Sequence, residues 1–391
     1  MLWDVPAIYT VLELNSMMPV TGGYYKWVKY ALGTRWGFYE GWWTWLYTFV
    51  DLAIYPVLFV TYAGFFYPDL AEHKLQLCLI FIWVSAGLNI LGIVPVGKVS
   101  LFLSAVVLTP FIILIVMAFS HHTGSFALPA PSLKGLSLPS IGMALYTIMW
   151  NCLGWDNTTT YAEEVEKPVR SYLIAIIIAF VLVVALYFLV IWASLLSGIN
   201  AGVLNDNLFP ALGELVGGHW LGSLLAIGGM ASCLGIYASV LLSVSRVPMV
   251  MAEDNLLPEK LNKRHKRFNT PYISIIICSM VVSAMVNWDL ESLFIIDVTI
   301  YGAGLALEYI SLIRLRIKEP DTHRPFKIPL GIRGLCVAIL FPFGVYFLAL
   351  TGALLSQERG LLAAAFAIIT LLSAELLWQI VKRQKSFAKS I

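Results

Sequence analysis

The stretch Met149-Trp150-Asn151-Cys152-Leu153-Gly154-Trp155-Asp156-Asn157-Thr158-Thr159-Thr160 follows an apolar run, "IGMALYTI" (141–148). It breaks that run with a glycine, two asparagines, three threonines and an aspartate. From Ile141 to Asn151 there are 11 residues, about 16 Å of helix and half the thickness of a bilayer. A helix that stops at that depth exposes backbone N–H and C=O groups, which is tolerated only where they line a cavity or are buried in protein. Gly154 weakens a helix there by about 1 kcal/mol relative to alanine. A carboxylate at the bilayer centre costs at least ~3 kcal/mol, which marks Asp156 for function. Broken helices at the midplane are how many secondary carriers build a substrate site. The bland alternative is a helix that ends near Asn151 and exits to water, because "EEVEKPVR" (163–170) begins seven residues beyond Asp156. Of the two, a site is the favoured reading.

Composition sets the class. The 391 residues are 59% apolar and 12% charged, with a mean hydropathy of +0.82. Soluble chains run nearer half apolar and a quarter charged, so this composition implies an all-α integral membrane protein. Eleven segments are candidate spans: 1–19, 36–60, 75–94, 99–119, 141–165, 172–196, 220–244, 272–287, 292–313, 334–355 and 361–381. A membrane barrel would show shorter, alternating segments instead. The connecting segments alternate in charge, and 22 of the 25 Lys and Arg residues fall in one set, which holds Lys26, Lys98, Lys167, Lys260, Arg314 and Lys382; Lys74, Lys134 and Arg359 make up the other. The positive-inside rule puts the richer set in the cytoplasm, giving a multi-pass protein of the cell membrane with its C-terminus inside and its N-terminus outside. No signal peptide leads the first segment, which carries Asp4, Pro6 and Glu13, so a preceding helix is expected to be missing.

The five cysteines (Cys78, Cys152, Cys233, Cys278, Cys336) lie singly in apolar runs and read as small buried hydrophobes. No spacing suggests a metal site or a cofactor. There is no P-loop for ATP coupling and no nucleophile–base constellation for an enzyme. The basic loop "EKLNKRHKR" (259–267) reads as a solvated cytoplasmic loop, with no nucleic-acid partner. Asp51 and Tyr55 lie within a span, where substrate contact and internal hydrogen bonding are equally open. Tyr301 and Glu308 are seven residues apart and share a helix face with two turns between them; Asp297 precedes them. Trp150 and Tyr146 are also on one face, while "GWWTW" (41–45) reads as an interfacial belt. Glu13, ahead of Pro19 and Gly22-Gly23, is either a cytoplasmic gate contact or a capped helix end; the structural reading is favoured. An aromatic beside an acid suits an organic cation.

Four stretches in order carry a resemblance: "ELNSMMPVTGGYYKWVKYALG" (13–33), "WNCLGWDNTTTYAEEVEKPVRSY" (150–172), "SRVPMVMAEDNLLPEKLNKRHKRFNTP" (245–271) and "EYISLIRLRIKEPDTHRPFKIPLG" (308–331). Together they resemble loops after the second, sixth, eighth and tenth helices of the amino acid–polyamine–organocation (APC) transporter superfamily. "VDLAIYPVLF" (50–59) and the Trp155-Asp156 pair are closest to its plant polyamine-uptake branch. The resemblance implies a LeuT-like inverted-repeat bundle of twelve helices, eleven of them here. Residues 1–119 would be the remainder of the first repeat, 141–313 the second, 334–381 two trailing helices and 382–391 a cytoplasmic tail. It implies a permease for amino acids or polyamines that works by alternating access, coupled to protons. The substrate site would comprise Trp150, Asn151, Cys152, Leu153, Gly154, Trp155 and Asp156 with Asp51, Tyr55 and Tyr301; Asp156 and Glu308 would handle the proton, and Trp150 and Glu13 would gate. The lysine that some relatives carry on the fifth helix in place of sodium has no counterpart in "LSAVVLTPFIIL" (103–114), Lys98 standing at the helix start. A sensor that binds without transport, and an inactive truncated permease, are the alternatives.

Overall fold

The computed structural model describes residues 2–121, 136–197, 208–355 and 358–388. Fourteen α-helices account for most of them: α1 (Val5–Met17), α2 (Gly23–Leu32), α3 (Thr34–Ala63), α4 (Lys74–Ile90), α5 (Ile93–His121), α6 (Leu138–Trp150), α7 (Pro168–Leu196), α8 (Leu208–Gly217), α9 (His219–Val244), α10 (Arg246–Glu253), α11 (Tyr272–Met285), α12 (Leu290–Lys318), α13 (Ile332–Leu354) and α14 (Glu358–Ala388). Every expected span carries a helix. Seven are long and apolar enough to cross a membrane, α3, α5, α7, α12, α13, the α9–α10 run and most of α14; α1, α4, α6 and α11 are shorter.

The order of burial follows from the solvent. In lipid the backbone of a span must satisfy its own hydrogen bonds, so an apolar helix can face hydrocarbon all along its outer side. That is the case for α7, whose Ile174, Ile177, Ile178 and Val181 are exposed. The opposite holds at the centre, where α3 and α12 are about two-thirds buried or more and bury four acids, Glu40, Asp51, Asp297 and Glu308. The tryptophans at 42, 43 and 45 correct the reading of an aromatic belt. Trp42 donates to Ser373 Oγ and Trp43 to the Leu371 carbonyl, both on α14, and Trp45 to Cys278 Sγ on α11. They are packing residues between α3 and its neighbours. Two cysteines also depart from expectation: Cys336 is exposed on α13, and Cys152 is half-buried.

The basic segments meet at one end. Lys26 and Lys29 of α2 pair with Asp254 after α10 at 3.0 and 2.7 Å. Arg246 pairs with Glu164 at 2.8 Å, and Thr270 donates to the Ile90 carbonyl between α4 and α5. Tyr30 donates to Glu319 after α12. Beneath this cap lies a buried clasp. Arg316 of α12 grips Glu13 of α1 with Nε at 2.6 Å and Nη2 at 2.5 Å; Arg324 Nε stands 3.4 Å away, and the Ile328 N–H donates to Glu13 Oε2 at 2.9 Å.

Candidate functional site

Helix α6 begins at a capping box between Ser137 and Ser140 and ends at Trp150, thirteen residues later. Gly154 then takes φ +86°, in the left-handed region that glycine adopts without strain. A 3-10 turn, Trp155–Thr160, follows. The turn closes on itself, since the hydroxyls of Thr158, Thr159 and Thr160 donate to the carbonyls of Trp155, Asp156 and Asn157. Three threonines in a row thus satisfy locally the backbone that the break would otherwise leave bare. The Gly22 N–H, donating to the Thr160 carbonyl at 2.7 Å, ties the turn to the segment before α2.

The break delivers Asp156, 1% exposed, to a ladder of acids and tyrosines between α3 and α12. The two helices run antiparallel. Glu40 interacts electrostatically with Glu308, Tyr47 packs edge-on against Tyr301 with centroids 5.3 Å apart, and Asp51 interacts with Asp297. Asp156 interacts with members of both acid pairs and with Asp4. Gly304 lets Glu40 rest against α12, for a Cβ there would stand 3.0 Å from Glu40 Oε1. Asn157 holds the turn to α2 and α3 by accepting from the hydroxyls of Tyr24 (3.1 Å) and Tyr47 (3.4 Å).

Six carboxylates are therefore buried near one another: Asp4, Glu40, Asp51, Asp156, Asp297 and Glu308. One oxygen of each of Asp4, Glu40, Asp156, Asp297 and Glu308 has no hydrogen-bond partner. Among the described residues the buried basic side chains are Arg246, Arg316 and Arg324, and these are paired with Glu164 or Glu13. No basic side chain among the described residues neutralises the ladder.

The expected site residues divide into groups. Asp156, Tyr301 and Glu308 join the ladder, with Glu308 at one end. Asp51 sits at the other end, its Oδ1 accepting from Tyr55 at 2.9 Å and from the Trp150 indole at 3.1 Å. Trp150 also packs on Phe294, centroids 4.7 Å apart, so it lies over the Asp51 end beside Tyr55. Tyr146 turns to Thr299. Asn151, Cys152, Leu153 and Trp155 line a cavity of about 470 Å³ against α7, whose wall is largely apolar and includes Asp4. Asn151 is exposed there and bonds back to the Thr147 carbonyl of its own helix, so it does not reach the acids. Trp155 donates to Asp4 at 3.2 Å. Glu13 belongs to the clasp between α1 and α12. Sequence reasoning missed Asp4 and Glu40, and it named Asp297 without placing it. Their signal was an acid inside an apolar segment, the same signal that marked Asp51.

Outside the spans, Asp254 titrates low. Burial works against its charge, but hydrogen bonds from Lys29, Tyr25 and Lys26 outweigh it and hold the carboxyl below its ordinary range.

Residues 1–372 match the amino acid permease family. The chain is 30% identical over 389 residues to the polyamine transporter RMV1 of Arabidopsis thaliana, covering 98% of this chain and 78% of that one. It is 31% identical over 351 residues to the polyamine transporter PUT1 of Oryza sativa subsp. japonica, covering 87% and 64%. A more distant likeness, 24% over 343 residues and 82% and 74% of the two chains, is to the serine/threonine exchanger SteT of Bacillus subtilis. These relatives are named as transporters, not enzymes. With a broken helix presenting a carboxylate to the centre of an all-α membrane bundle, and a family match over nearly its whole length, the chain belongs to the amino acid permease family of membrane transporters.

Proposed function

We propose that the protein is a polyamine carrier. The observation that supports this is the ladder of six buried carboxylates facing no basic side chain among the described residues. In a low-dielectric interior such charges are strongly destabilising unless each is protonated or paired with a cation. A polyamine supplies several ammonium groups on a slender chain. An amino acid would need a partner for its carboxylate, and among the described residues the ladder offers tyrosine hydroxyls and the Asn157 amide but no charged donor. The tyrosine rings at 24, 47 and 301 add faces on which an ammonium is attracted.

In this reading Asp156 holds the substrate or a coupling proton at the break, and Glu308 serves as a second proton acceptor. Trp150 closes the site over the Asp51 end. The two repeats, 1–119 and 141–313, rock against each other with 334–381 trailing, and the Glu13 clasp is what must open on the basic side. The basic cap is cytoplasmic, as is the C-terminus, and the membrane is that of the cell surface.

Uptake of a radiolabelled polyamine into proteoliposomes under an imposed pH gradient tests the proposal. Asp156→Asn keeps shape and removes the charge. If Asp156 carries the proton, gradient-driven uptake is lost while exchange persists. If it holds the substrate, binding itself weakens, most for polyamines and least for neutral amino acids. Uptake unchanged at every pH and for every substrate would remove Asp156 from the mechanism. For topology, Lys134 and Lys389 lie outside the described residues; cysteine at Lys263 in the cap and at Lys74 at the start of α4 serves as well. Labelling of the Lys263 position from outside intact cells would reverse the orientation.

A further inference from the structure

The acids are spaced along both helices by the same interval. Glu40 and Asp51 are 11 residues apart on α3, and Asp297 and Glu308 are 11 residues apart on α12. Eleven residues make about three helical turns, so each pair shares a face, and at 1.5 Å per residue they are about 16 Å apart along the axis. Because α3 and α12 run antiparallel, the two intervals coincide. An acid pair, Glu40 with Glu308, stands at one end, and another, Asp51 with Asp297, at the other. Asp156 reaches in between them, interacting with Glu40 and Asp51 alike. Tyr301, 3% exposed, belongs to the same stretch and faces Asp156.

Resting on the polyamine reading above, we propose that Glu40 and Glu308 form a second ammonium site, so that the preferred substrate is a linear polyamine long enough to bridge that pair and the Asp51–Asp297 pair. The lengths decide which class fits. A saturated chain advances about 1.2 Å per bond, as extended backbone does. A four-carbon diamine, with about five bonds between nitrogens, spans about 6 Å and pairs at one rung. A triamine of the 3-4 pattern spans about 11 Å and reaches from one end past Asp156. A 3-4-3 tetraamine spans about 16 Å, the full separation of the end pairs, with inner ammonium groups left for Asp156. The methylenes between ammonium groups run beside Tyr47 and Tyr301, whose rings already pack together there.

The test is inhibition of radiolabelled spermidine uptake by unlabelled 1,4-diaminobutane, spermidine and spermine, using the full chain in proteoliposomes. Each added ammonium that finds a carboxylate is expected to lower the inhibition constant by about tenfold. Glu40→Gln and Glu308→Gln are each expected to raise the constant for spermine about tenfold more than that for the diamine. Equal constants for diamine and tetraamine in the unaltered protein would overturn the inference, as would a variant that weakens all three amines by the same factor. Should either variant fail to fold, the length series on the unaltered protein still decides. If the unaltered protein takes up and binds no polyamine of any length, the polyamine reading itself fails, an outcome distinct from binding without length dependence.

Discussion

Glu13→Gln is the sharpest test of what holds the basic end together. Glu13 has 1% of its side chain exposed, Arg316 7% and Arg324 2%. The substitution leaves two buried guanidinium groups without their carboxylate, although Arg316 keeps bonds to the carbonyls of Leu330 and Ile328 and Arg324 keeps bonds to those of Leu315, Glu319, Pro320 and Thr322. Removing one partner of such a pair costs about 3–5 kcal/mol. At roughly 2.1 cal/mol/K per residue, a chain of 391 residues loses about 1.2 °C per kcal/mol, so the unfolding midpoint should fall by about 4–6 °C. Intrinsic fluorescence of the thirteen tryptophans during heating in detergent reads it. Arg316→Gln should cost a similar amount, and the double variant should cost clearly less than the two combined, because the second loss removes a charge that the first left stranded. A fall of under about 1 °C for Glu13→Gln, or simple additivity in the double variant, would refute the buried clasp.

Gly154→Ala places a side chain at φ +86° in open space, the nearest atom being Asn157 Nδ2 at 3.6 Å. Its cost is therefore conformational, about 1–2 kcal/mol, with Gly154→Asn milder; equal midpoints for Gly, Ala and Asn would contradict the left-handed break. Gly142→Ala would set a Cβ 2.5 Å from the Gly352 Cα, backbone against backbone. It should separate α6 from α13 at a cost of about 1–3 kcal/mol, and an unchanged midpoint would show that the helices are not in contact there. Asp254 gives a pH dependence. Its folded carboxyl titrates below the ordinary 3.8, so the stability it adds is present above that value and lost as the pH falls through the folded one. The difference in midpoint between the unaltered protein and Asp254→Asn should be full at neutral pH and close under acid; a difference independent of pH would exclude the ion pairs with Lys26 and Lys29.

The membrane class, the position of the apolar segments and the break were legible in the sequence because they depend on local quantities. Apolar length places a span whatever packs beside it, and Gly154 with three threonines interrupts one using its own backbone and hydroxyls. Asp156, Asp51 and Glu308 stood out because an acid inside an apolar segment is costly anywhere along the chain. What each acid faces was not legible. Glu40 drew no reading beside the tryptophans of "GWWTW", and Asp4 looked like a flaw in the first segment. The equal spacings 40–51 and 297–308 are visible in the sequence, but they align only when α3 and α12 dock antiparallel. The same holds for "GWWTW", whose indoles read as a belt until α14 and α11 supply acceptors, and for Asn151, adjacent to the break yet rotated toward α7 and away from the acids. Helix formation answers to neighbours three and four residues away; the meeting of Glu40 with Glu308 answers to the packing of helices that the chain brings together only after 268 residues, and only the tertiary structure decides it.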